Sequence, residues 1–74
     1  MTRYYAVKIE GRRHDLGIYS TGRDVAHAAQ AVVEALKVDV SIDADVIGRA
    51  VDRSQDPIAL GTSGGTPVLL YIVC

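Results

Sequence analysis

Val68-Leu69-Leu70-Tyr71-Ile72-Val73 is a run of six apolar residues with no polar break. That length suits a strand rather than a helix, and a strand apolar on both sides belongs in the middle of a sheet whose two faces are both covered. Val68, Leu70 and Ile72 would face one way, and Leu69, Tyr71 and Val73 the other. The remainder of the chain has little with which to cover them. Its 74 residues make a single domain, and a chain this short buries only roughly 60% of its unfolded surface. There is no Trp and no Phe, so Val, Ile, Leu, Ala and Tyr must fill the core.

Tyr4 to Glu10 alternates, with Tyr5, Val7 and Ile9 opposite Tyr4, Ala6, Lys8 and Glu10, which predicts a first strand. Gly11-Arg12-Arg13-His14-Asp15 reads as a five-residue hairpin loop with two arginines at its tip, and Leu16 to Ser20 as the returning strand. Thr21-Gly22-Arg23-Asp24 fits an N-capping pattern, and Val25, Ala28, Ala29, Val32 and Leu36 recur at helical spacing behind it, predicting a helix over 22–37. Residues 38–46 alternate as a strand would, but aspartates fill the polar positions and are poor strand formers. A helix over 43–53, capped by Asp43 and stopped before Pro57, divides its faces more cleanly, although Gly48 in its interior costs about 1 kcal/mol. Ile58 to Leu60 is a short strand, 61–67 a glycine-rich loop, and 68–73 the last strand. The fold class is therefore α+β in the order ββααββ: one domain over 1–74, with a four-stranded, mostly antiparallel sheet and helices on one face. ββαβββ is the alternative.

No pattern of catalytic or metal-ligating residues emerges. Gly61-Thr62-Ser63-Gly64-Gly65 resembles the segment around the nucleophile of chymotrypsin-like serine proteases. Those enzymes need a far larger double barrel, and the same five residues serve as a flexible hairpin loop. The stretch lacks the Gly-Lys-Ser/Thr of a phosphate-binding loop, and Pro67 with a strand follows instead of a helix. His14 and His27 have no ligand-spaced partner and read as surface histidines, while Asp39, Asp43 and Asp45 read as solvated helix-cap acids. No catalysis, cofactor or metal is expected, nor a small-molecule substrate. Cys74 is the only cysteine, which excludes an internal disulfide and points to a reducing compartment. No run approaches the roughly 18 apolar residues of a membrane span, and the start has no leader pattern, so a cytoplasmic protein with no membrane partner is expected.

The net charge of -1 hides an asymmetry. Residues 1–23 carry five cations against two acids, and residues 24–74 carry three against seven. In the basic part, Tyr4-Tyr5-Ala6-Val7-Lys8, Gly11-Arg12 and Gly17-Ile18-Tyr19-Ser20-Thr21 resemble the opening of the hybrid-binding, or viroplasmin, domain of some ribonucleases H. That resemblance spans residues 4–21 and lacks the Trp that usually follows the second strand. It implies contact with a nucleic-acid backbone through Lys8, Arg12 and Arg13, with Tyr4 or Tyr19 as a stacking surface.

Helices packed on the side of Tyr5, Val7, Ile9, Leu16 and Ile18 leave Tyr4, Ala6, Tyr19 and one row of the last strand uncovered. Tyr and Arg are enriched at binding hot spots. The expected function is a non-enzymatic protein-binding module that dimerises or docks on a larger protein, with Tyr4, Lys8, Arg12, Arg13, Tyr19, Leu69 and Tyr71 as contact residues. In size and compact plan the chain resembles the small inhibitors that phages encode, such as anti-CRISPR proteins, which implies a viral protein blocking a host complex. A nucleic-acid-binding domain using the basic hairpin and a structural homo-oligomer subunit are the alternatives.

Overall fold

The computed structural model describes residues 2–73. Strands Arg3–Ile9 (β1) and Arg12–Tyr19 (β2), helices Gly22–Ala35 (α1) and Ala44–Arg53 (α2), and strands Ile58–Ser63 (β3) and Thr66–Ile72 (β4) follow in the expected ββααββ order. The sheet is four-stranded and antiparallel, in the order β2-β1-β4-β3, so the apolar run does lie at its centre.

Both hairpins are tighter than the sequence predicts. Ile9 pairs with Arg12 across the two-residue turn Glu10-Gly11, whose φ angles are 49° and 79°. Positive φ at both positions is the type I′ form, whose twist matches that of the flanking strands; Gly11 adopts it freely, while Glu10 adopts it as a non-glycine residue. The five-residue loop over 11–15 is therefore corrected: Arg12, Arg13, His14 and Asp15 lie within β2. The loop over 61–67 is likewise corrected, because β3 and β4 continue through it to the turn Gly64-Gly65.

A bulge in β2 changes which side chains share a face. Tyr5 pairs with Gly17 and Ala6 with Asp15, leaving Leu16 as the extra residue. Past it the alternation slips by one. Ile18, expected under the helices, pairs with Tyr4 on the opposite face and is 67% exposed. Tyr19, expected on the open face, pairs with Arg3 on the helix side, packs against the core and donates its hydroxyl to the Leu16 carbonyl at 3.0 Å.

The Thr21 hydroxyl caps α1 by accepting from the Asp24 N–H, and the Asp43 carboxylate caps α2 by accepting from Asp45 and Val46. Helix α1 ends two residues earlier than expected. There Lys37 N–H bonds the Glu34 carbonyl and Val38 N–H the Val33 carbonyl, a Schellman closure with Lys37 at φ 57° where glycine is usual. Residues 38–43 alternate without forming a strand: Val38, Val40 and Ile42 lie against the core as an extended connection.

Gly48 has a reason to sit inside α2. A Cβ on Gly22 would collide with the Gly48 carbonyl oxygen, and one on Gly48 would stand 3.0 Å from the Arg23 nitrogen. The N-terminus of α1 thus rests directly on α2, and Gly22 N–H donates to the Asp52 carboxylate at 2.9 Å. Beneath the helices, Tyr5, Val7 and Ile9 of β1 and Val68 and Leu70 of β4 meet Val25, Ala26, Ala29 and Val33 of α1 and Val51 of α2 in one cluster.

Gly22→Ala is expected to destabilise the fold by about 1–3 kcal/mol through overpacking, and Gly48→Ala by less despite its better helix propensity, as urea unfolding will show. Lys37→Gly, by relieving a left-handed residue, should raise stability by up to about 1 kcal/mol in the same measurement.

Candidate functional site

Directly opposed residues of antiparallel strands point to the same face, so the register defines the side of the sheet away from the helices. Ala6 of β1 lies between Asp15 of β2 and Tyr71 of β4. One step along, Lys8 lies between Arg13 and Leu69, and Leu69 is followed by Ala59 of β3. In the other direction Tyr4 lies beside Ile18, and Val73 N–H donates to the Tyr4 carbonyl at 2.8 Å. The face is thus apolar along β4 and across its Tyr4 end, with Lys8, Arg13 and Asp15 at one corner.

No described residue covers this face. Tyr4, Ile18, Leu69, Tyr71 and Val73 lie outside the core cluster and outside the partly buried residues packed on it. Ala6 is fully buried yet also stands outside that cluster, so its own neighbours on the open face close over it.

The polar corner is organised internally. Arg13 Nε donates to Asp15 Oδ1, with both side chains about half exposed. That bond holds the Asp15 carboxyl below its ordinary range against a smaller opposing effect of desolvation, and it raises Arg13. The Tyr4 hydroxyl is shifted upward, first by removal from water and then by the Asp15 charge, which a phenolate would oppose. Tyr4 therefore keeps its proton at neutral pH. Lys8 has no ion pair among the described residues.

Five of the seven residues singled out in the sequence, Tyr4, Lys8, Arg13, Leu69 and Tyr71, come together on this face. The other two do not join them. Tyr19 is turned to the helix side by the bulge, and Arg12 pairs with Ile9 and lines a shallow cleft on the helix side with His14, Leu36 and Val38. Ile18 and Asp15 belong to the face and were not singled out; Gly17, a glycine inside a strand pattern, is the signal that marks the bulge moving Ile18.

Ser63 lies in β3 and donates to Glu10 Oε1 at 3.4 Å, joining the two hairpin turns. His27 is exposed on α1, and Asp45 pairs with Arg23 at 3.5 Å. Among the described residues no group of three His, Cys, Asp or Glu could hold a metal ion, and no helix is long and apolar enough to cross a membrane. Cys74 lies outside the described residues. Compared with known proteins, the chain matches no family model, no curated protein and no solved structure.

The carboxyl of Asp15 is expected to titrate below the ordinary aspartate range by NMR, and Arg13→Gln should return it toward that range. Because the folded state favours the ionised form, the pair's contribution is present above the ordinary carboxylate range and fades as pH falls through the lowered value. Half-exposed partners keep that contribution small.

Proposed function

We propose that this chain is a non-enzymatic protein-binding module that docks on a larger protein through the uncovered face of its sheet. The observation that carries the reading is that face itself: an apolar surface along the central strand β4, extended by Tyr4 and by an Ile18 that is 67% exposed. An antiparallel sheet that meets water on one side alternates apolar with polar residues, and β4 does not. Half-buried Tyr4 and Tyr71 supply the aromatic anchors that dominate binding energies.

The face suits a protein better than a nucleic acid. A phosphate backbone is held by several unpaired cations, whereas here Lys8 stands beside an Arg13 already bonded to Asp15, and Arg12 faces the helix side. Size and the ββααββ plan accord with the phage-encoded inhibitors of the anti-CRISPR style, and a cytoplasmic site of action, binding a host protein or nucleoprotein complex, belongs to that reading.

A photo-crosslinking amino acid at Tyr71, in cells that make the protein, should give an adduct of one defined mass, and the same group at Glu34 on α1 should not. Ile18→Glu alters an exposed side chain, so stability should change within about 0.5 kcal/mol while the Tyr71 adduct disappears. Equal adducts from both positions, or an adduct indifferent to Ile18→Glu, would remove this role from the open face.

A further inference from the structure

Resting on the reading of the open face as a docking surface, we infer that its occupant is an amphipathic helix of another protein, carrying a carboxylate that meets Lys8. Three observations select that occupant. The first is that both outer strands are bulged, β2 at Leu16 and β3 between Ala59 and Gly61. A bulge interrupts the even row of main-chain groups that an added strand needs, so recognition passes through side chains on the face rather than through the sheet edges.

The second is shape. Pro67, Leu69 and Tyr71 form one row of β4, which Val73 continues just past the strand's end by bonding the Tyr4 carbonyl, and six residue steps at about 3.3 Å make it roughly 20 Å long. A helix rises about 1.5 Å per residue and is about 10 Å across, so some thirteen residues span the row and reach the neighbouring strand on either side. The opposite row of the same strand, Val68, Leu70 and Ile72, lies under α1, which has 14 residues, and α2, which has 10.

The third is charge. Among the described residues Asp15 is the carboxylate on this face, and Arg13 occupies it. Lys8 is left without an answering charge among the described residues, and its neighbour Leu69 lies within the apolar row. A second copy packed face to face would bring the same cationic corner again and no spare carboxylate, which disfavours self-association through this surface.

The test uses the full chain, labelled with ¹⁵N, and two synthetic 14-residue helix-forming peptides with leucines on one face. One carries Glu at the ends of the leucine stripe and the other Lys. The Glu peptide should shift the amides of Ala6, Lys8, Ile18, Leu69 and Tyr71, and the Lys peptide should bind about three- to tenfold more weakly at low salt. Lys8→Glu should reverse that preference. Equal binding of the two peptides, shifts confined to α1 and α2, or equal binding of a Glu peptide with a central proline would overturn the helix assignment. So would a doubled mass in light scattering that Ile18→Glu abolishes, which would make the occupant a second copy. If the Tyr71 crosslink forms while the peptides fail, this inference falls and the docking reading stands; if that crosslink is also absent, both fall.

Discussion

The architecture turns on how closely two short helices can approach one another. With no Phe or Trp in the chain, the layer above the sheet is thin, and its packing energy comes from many small aliphatic contacts. Gly22 against Gly48 brings backbone to backbone, and the Asp52 carboxylate takes up the Gly22 N–H exposed there. That crossing lets both helices share the face of Val7, Val68 and Leu70. The fold is consequently one-sided: every helical residue is committed to one face, and nothing described remains to cover the other. The interior glycine that weakens α2 as an isolated helix is what allows α2 to pack.

Much of this was legible because it depends on local rules. The caps at Thr21 and Asp43, the stripe of Val25, Ala29 and Val32 and the central place of residues 68–73 follow from residues close together in sequence. The hairpins are less legible. Gly11 and Gly64-Gly65 announce turns, but the polar Arg12, Arg13 and His14 look like loop residues when they are in fact paired strand residues on an outer strand, where charge is tolerated and useful. Strand membership there is decided by the partner strand, which local composition does not reveal.

The bulge had the larger effect on the candidate site. A one-residue slip moves a whole set of side chains to the other face, and Leu16 does this to Ile18 and Tyr19. Residues on β1 and β4, whose alternation is uninterrupted, fall on the sides that period two assigns them: Tyr4, Lys8, Leu69 and Tyr71 share a face. On β2, Arg13 falls with them, while Arg12 and Tyr19 do not. The alternation of residues 38–42 misleads in the opposite sense, since Ile42 is buried and Val38 and Val40 are partly buried against the core without any strand pairing. Period two records which side chains face the core, and an extended connection lying on a core meets that requirement as well as a strand does.

The uncovered face also bears on how a partner could be held. Ala6 at its centre is already out of water, so little is gained by covering it again. New burial must come from the residues around it, chiefly Ile18, Tyr4, Tyr71 and Leu69. Across a face built from so few side chains, affinity depends on anchors rather than area. Tyr4 is suited to that task because it is rooted in the sheet beside an Asp15 carboxylate that Arg13 fixes in place. An aromatic ring whose position is set before binding gives up less rotamer freedom when the partner arrives, so order already present in the free protein lowers the cost of docking. The Arg13–Asp15 pair, weak as a source of fold stability, fixes the polar corner beside Tyr4 and leaves Lys8 without an answering charge among the described residues.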